Sequence, residues 1–137
     1  MNLVIVDGQG GQLGAQLVKE ISGQFPQVTI TAIGTNAVAT AAMLKNGAKL
    51  AATGENPLIV ACRKADVIVG PIGIVIADSM LGEITPAMAT AVGQAMATRI
   101  LLPVNKCENL VAGVSGVNTA SIIADAVEKL RAIVDKR

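Results

Sequence analysis

A chain of 137 residues can bury one core but cannot build two full lobes. At 52% hydrophobic, 15% charged, mean hydropathy +0.58 and net charge +1, with Phe25 the only aromatic residue, it offers neither the basic patch nor the stacking rings of a nucleic-acid binder, and no apolar run reaches the ~18 residues of a membrane span. It has no His, Tyr or Trp, which excludes Ser-His and Cys-His catalysis and histidine zinc sites within one chain and leaves Asp, Glu, Lys, Cys or water for acid–base work.

Taken in chain order, strand-like and helix-like patterns alternate. Asn2–Val6 is a short β-branched run. It ends in Asp7-Gly8-Gln9-Gly10-Gly11, and a helix follows over Gln12–Ser22, with Leu13, Leu17, Val18 and Ile21 at helical spacing. Gly23 and Pro26 stop it. Val28–Ile33 is the second strand. Asn36–Lys45 is a small-residue helix closed by Asn46-Gly47, and Ala48–Ala52 is a weaker third strand. Asn56 is placed to cap a short helix with Pro57 in its first turn. Asp66–Val69 is the fourth strand. The apolar stretch from Gly73 to Leu81 fits an extended arm or a short helix equally, so residues 73–84 stay open. Thr85 and Pro86 open a helix to about Ala97, Arg99–Pro103 is the fifth strand, and Leu110–Val114 is a candidate short edge strand. Asn118 caps a last helix, whose apolar face carries Ile122, Ile123, Ala126, Val127, Leu130, Ile133 and Val134 and whose wet face pairs Asp125 with Lys129.

This alternation predicts an α/β fold over residues 1–137: a single Rossmann-like doubly wound domain with a mostly parallel sheet of five to six strands. The near-continuous apolar strands suit the centre of such a sheet. Each predicted strand ends in a loop rich in glycine or amide side chains, and a parallel sheet gathers those loops at one edge, where ligands bind. The loops are Asp7–Gly11, Gly34-Thr35-Asn36, Thr53-Gly54-Glu55-Asn56, Gly70-Pro71-Ile72-Gly73 and Pro103-Val104-Asn105-Lys106.

The first loop carries the sharpest signal. Glycines at 8, 10, 11 and 14 sit between a strand and a helix, the context in which a backbone approaches a phosphate at a helix N-terminus. Two readings stand: a cradle built from Gly8, Gln9, Gly10, Gly11, Gln12, Leu13 and Gly14, or a tight strand-to-helix turn. A dinucleotide site would also want an acidic residue closing the second strand. Here Gly34, Thr35 and Asn36 stand there; the two polar side chains could bond a phosphate or ribose, or cap the next helix. Gly70 joins the same edge.

Asp7 and Glu55 are acids on that edge. Asp7 would repel a phosphate unless a cation, a proton or a ribose hydroxyl intervenes, or it accepts N–H bonds from its own turn. Sharing a Mg²⁺ between the two is a minority reading, and no metal site is assigned. Lys106, directly after the fifth strand, could contact an anion or simply be exposed. Cys107 and Cys62 form no Cys-x-x-Cys pair and read as reduced thiols. Asp78 and Glu83 flank the ambiguous arm, with solvation as the default and an interface or active-site role as the minority reading.

The segments Asp7–Gly11, Gly34–Asn36, Ala52–Pro57, Gly70–Asp78, Gly82–Pro86 and Pro103–Cys107 resemble a family of short bacterial proteins described only as a domain of unknown function. The resemblance spans essentially the whole chain and implies a Rossmann-like fold without implying an activity. The first turn alone also resembles the Gly-x-x-Gly-x-x-Gly turn of extended short-chain dehydrogenases. Those enzymes use a catalytic tyrosine, which is absent here, so their chemistry does not transfer.

The expected function is binding of a phosphate-bearing small molecule at the carboxyl edge of the sheet, with NAD(P) or another nucleotide as the leading ligand class. The alternatives are an enzyme acting on a phosphorylated metabolite through Asp7, Glu55 or Lys106, with or without a metal, and a structural or regulatory subunit without a ligand. The apolar arm and the helix from Thr85 to Ala97 predict a homo-oligomer, and the thiols and the absence of a signal-like start point to the cytoplasm.

Overall fold

The computed structural model describes residues 1–104, 108–116 and 118–137. Five parallel strands, β1 (Asn2–Asp7), β2 (Thr29–Gly34), β3 (Leu50–Thr53), β4 (Val67–Pro71) and β5 (Thr98–Leu102), lie in the order β3-β2-β1-β4-β5. The order reverses between β1 and β4, which is the doubly wound arrangement, in which ligands generally bind outside the carboxyl ends of such strands.

Helices α1 (Gln12–Gln24), α2 (Ala37–Lys45) and α5 (Thr119–Asp135) cover one face. Helices α3 (Glu55–Cys62) and α4 (Pro86–Gln94) cover the other. Alternation along β1 explains the split: Leu3 and Ile5 point into the core with Leu17, Ile21 and Leu130, while Val4 and Val6 point into the core with Leu58, Met88 and Val92. Burying both faces is what makes the central strands continuously apolar.

Local chemistry sets most element ends. Asn36, Thr85 and Asn118 each accept a backbone N–H three residues on, from Ala39, Met88 and Ser121, as N-caps do. Lys129 pairs with Asp125 on the wet face of α5. Arg131 lies 4.8 Å over the Phe25 ring and ties α5 to the end of α1.

Most element ends shift from expectation by one or two residues, and larger differences have local causes. Helix α3 starts at Glu55, not after an Asn56 cap, because Gly54 turns the chain at φ +100° and leaves the helix to begin at once. Helix α4 stops at Gln94 rather than Ala97, where Ala95 turns extended and the Arg99 guanidinium donates to the carbonyls of Val92, Ala95 and Ala97. Leu110–Val114 is no strand; Gly113 and Gly116 are left-handed and the segment turns. The open stretch resolves into a single 3-10 turn, Ile72–Val75, followed by a compact series of turns through Ile84. No helix among the described residues is long and apolar enough to cross a membrane.

Candidate functional site

The loop after β1 is organised first by Asp7. Its side chain is 4% exposed, and its two oxygens accept different backbone amides: Gly8 N–H to Oδ1 at 2.8 Å and Gly14 N–H to Oδ2 at 2.7 Å. Gly14 is the third residue of α1, so Asp7 supplies the anion that the helix start favours. Burial pushes its pKa up; the two amide bonds oppose that, and the Glu83 charge adds to it. The turn-accepting role weighed for Asp7 from sequence is the one the geometry displays.

The glycines of the loop then separate by what a side chain would meet. A Cβ on Gly14 would lie 2.6 Å from Met43 Sδ and 2.8 Å from Asp7 Cβ, and one on Gly11 would lie 2.6 Å from Ala39 Cα, so both let α1 press against its neighbours. A Cβ on Gly34 would strike Thr40, and one on Gly70 would strike the carbonyl of Val6. Gly10 is different. Nothing lies within 4 Å of its added Cβ, its φ is not left-handed, and it is exposed. Among the described residues, the N–H groups of Gly10, Gln12 and Leu13 have no hydrogen-bond partner.

An acid from elsewhere in the chain reaches the end of β2. Glu83, in the turns after the 3-10 segment, reaches across the loop. Its Oε1 accepts the N–H of Gln9 at 2.8 Å, the hydroxyl of Thr35 at 2.6 Å and the side-chain amide of Asn36 at 2.8 Å. Asn36 also donates to the carbonyl of Gln9 at 3.0 Å while its oxygen caps α2, so one side chain caps the helix and joins the two loops. Gly8 makes room for this: a Cβ there would lie 2.6 Å from Thr35 Oγ1, 2.7 Å from Met80 Sδ and 3.1 Å from Glu83 Oε1. Burial raises the Glu83 pKa, but the hydrogen bonds from Thr35, Gln9 and Asn36 together hold it below the ordinary value.

The strap that carries Glu83 is anchored by Met80 and Ile84, both buried, and by the Ser79 hydroxyl donating to the carbonyl of Gly73, while Leu81 at its tip is 98% exposed. Asp78, Met80 and Leu81 all hold positive φ, at +66°, +57° and +56°. Such conformations cost of order 1–3 kcal/mol each and persist where surrounding packing enforces them.

Over residues 2–135 the chain matches the model of the family described as Domain of unknown function (DUF3842). The chain belongs to this family. No curated protein matches it. Among solved structures it is similar to that of a dodecameric FMN-dependent UbiX-like decarboxylase from Escherichia coli O157:H7, with 16% identity, 96% of this chain and 75% of that one covered, and a TM-score of 0.47.

The remaining candidates of this DUF3842 chain do not gather with Asp7. Glu55 accepts the hydroxyl of Thr85 at 2.5 Å and ties α3 to the start of α4. Asp7 is buried with both oxygens accepting backbone amides, whereas Glu55 is engaged with Thr85. Among the described residues, no group of three or more His, Cys, Asp or Glu side chains could hold a metal ion. Lys106 and Cys107 lie outside the described residues. Cys62 is buried, its thiol pKa pushed up by burial, so it is poorly disposed to react.

Proposed function

We propose that the protein binds a phosphate-bearing small molecule, a nucleotide or dinucleotide, over the loop from Gly8 to Gly14. The observation that carries this reading is Gly10. The fold gives a reason for Gly8, Gly11 and Gly14 in the packing around them and gives none for Gly10, whose missing Cβ leaves open space beside N–H groups that no atom of the described residues accepts. A residue that keeps backbone bare toward solvent at a helix start suits close approach by an anion. Thr35 and Asn36 add polar groups at the end of β2 for a sugar or phosphate.

Titration calorimetry with AMP, NAD⁺, FMN and inorganic phosphate tests this on wild-type protein and Gly10→Val. Binding to wild type and a loss of ~2–4 kcal/mol in the folded variant are expected, since hydrogen bonds to charged groups contribute ~1.5–3 kcal/mol each. Equal affinity in the two proteins rejects the site.

Self-association belongs to the same proposal. Met96 is fully exposed and Val60 is 42% exposed, beside a groove between α3 and α4 lined by Ile59, Cys62, Ala91 and Ala95. An apolar surface of this kind is what a homo-oligomer covers.

A further inference from the structure

Three donors from two loops, the Gln9 backbone after β1 and the Thr35 hydroxyl and Asn36 amide after β2, converge on one oxygen of Glu83. Convergence of this kind is how a fold holds an anionic oxygen, and here the fold's own carboxylate occupies it. The position lies between the glycine loop and the end of β2, where the proposed ligand would sit. Gly8 keeps the loop bare so that Thr35, Met80 and Glu83 can close over it.

We propose that Glu83 is a resident anion that blocks the ligand site, so that a phosphate-bearing ligand takes over the donors of Gln9, Thr35 and Asn36 only when the Glu83 side chain swings out. This rests on the binding reading above. The division of labour within the strap fits the task. Ile84, directly after Glu83, is fully buried, and Met80 and Ser79 are buried as well, so the backbone stays seated. Glu83 itself is half-buried and attached to the loop by side-chain bonds alone, which a competing oxyanion can replace one for one. Binding is then an exchange of one oxyanion for another, and the apparent affinity is lowered by the fraction of molecules in which Glu83 is bonded.

The test compares wild type, Glu83→Gln and Glu83→Ala by calorimetric titration with AMP and, separately, inorganic phosphate, with hydrogen exchange of the Gln9 amide followed on each protein. The glutamine variant keeps an oxygen acceptor and loses the charge, so it guards against a fold defect in the alanine variant. The expected order of affinity is Glu83→Ala above Glu83→Gln above wild type, spanning tenfold or more, with faster exchange at Gln9 in Glu83→Ala. Equal affinities in the three proteins overturn the block and leave the binding reading standing. Weaker binding in the variants also overturns it, making Glu83 a ligand contact. Absence of binding by folded Glu83→Ala to both probes removes the block and the binding reading together.

Discussion

Gly8 and Gly10 are two residues apart in the same loop, yet a methyl group on each should act in opposite ways. In Gly8→Ala the new Cβ would sit 2.6 Å from Thr35 Oγ1 and 2.7 Å from Met80 Sδ. Ordinary contacts begin near 3.5 Å, so each overlap approaches about 1 Å. The Met80 tip can bend aside cheaply. Thr35 cannot, because moving its hydroxyl breaks the 2.6 Å bond to Glu83, a charge-assisted bond of ~1.5–3 kcal/mol. The net cost should be ~2 kcal/mol, within the range for overpacking, or a fall in Tm of roughly 6–10 °C for a domain of this size. In Gly10→Ala the Cβ meets nothing and the backbone is not left-handed, so stability should hold or rise by up to ~1 kcal/mol through the narrower unfolded ensemble. Urea unfolding of both variants beside wild type measures this. A Gly8→Ala protein within ~0.5 kcal/mol of wild type, or a Gly10→Ala protein that falls as far as Gly8→Ala, would refute the packing argument.

Other consequences are open to measurement. Replacing Asp7 with Ala strands the buried N–H groups of Gly8 and Gly14 and should cost ~1–3 kcal/mol in the same unfolding assay; an unchanged midpoint would show that water satisfies both. The pH profile should carry two opposed signatures. The depressed Glu83 pKa contributes stability that is present above its ordinary value and lost as pH falls below about 4.5, whereas the raised Asp7 pKa contributes stability that is present below about 4 and lost as pH rises through the shifted value. Unfolding midpoints across pH 2.5–8 should therefore lose the acid-side fall in Glu83→Gln and the alkaline-side decline in Asp7→Asn; profiles parallel to wild type would contradict both assignments. Sedimentation equilibrium should find an oligomer at micromolar concentration that Ala95→Glu dissociates or makes insoluble, and a monomeric wild type rejects the interface.

What the sequence told and what it withheld divide by distance along the chain. The elements were legible because their signals are local: the apolar spacing of Leu13, Leu17, Val18 and Ile21, the caps Asn36, Thr85 and Asn118, and the glycine turn after Val6 all act within a few residues. The sheet followed from their alternation. The turn-acceptor reading of Asp7 is available from sequence because its partners, Gly8 and Gly14, are near in the chain. For Glu83 the sequence leaves solvation as the default over an active-site role, because its partners are remote. Glu83 meets Thr35 and Asn36 across a gap of dozens of residues, and it gets there through left-handed Asp78, Met80 and Leu81, a conformation that nothing in those residue types announces. Arg99 escaped notice in the same way, ending α4 from the following strand.

The order of strands also sets the order in which the molecule can be built. β1 lies at the centre and pairs with β2 on one side, Asn2 opposite Thr29, but its other side waits for β4, Leu3 opposite Val67. A nascent chain emerging from the ribosome can complete the first β-α-β unit early. The second edge of β1 then stays unpaired until α2, β3, α3 and β4 itself have been synthesised, and closing so long a loop afterwards is slow compared with local folding. That bare edge, flanked by Leu3, Ile5 and Val6, is where a growing chain is most open to chaperone capture or to pairing with another copy.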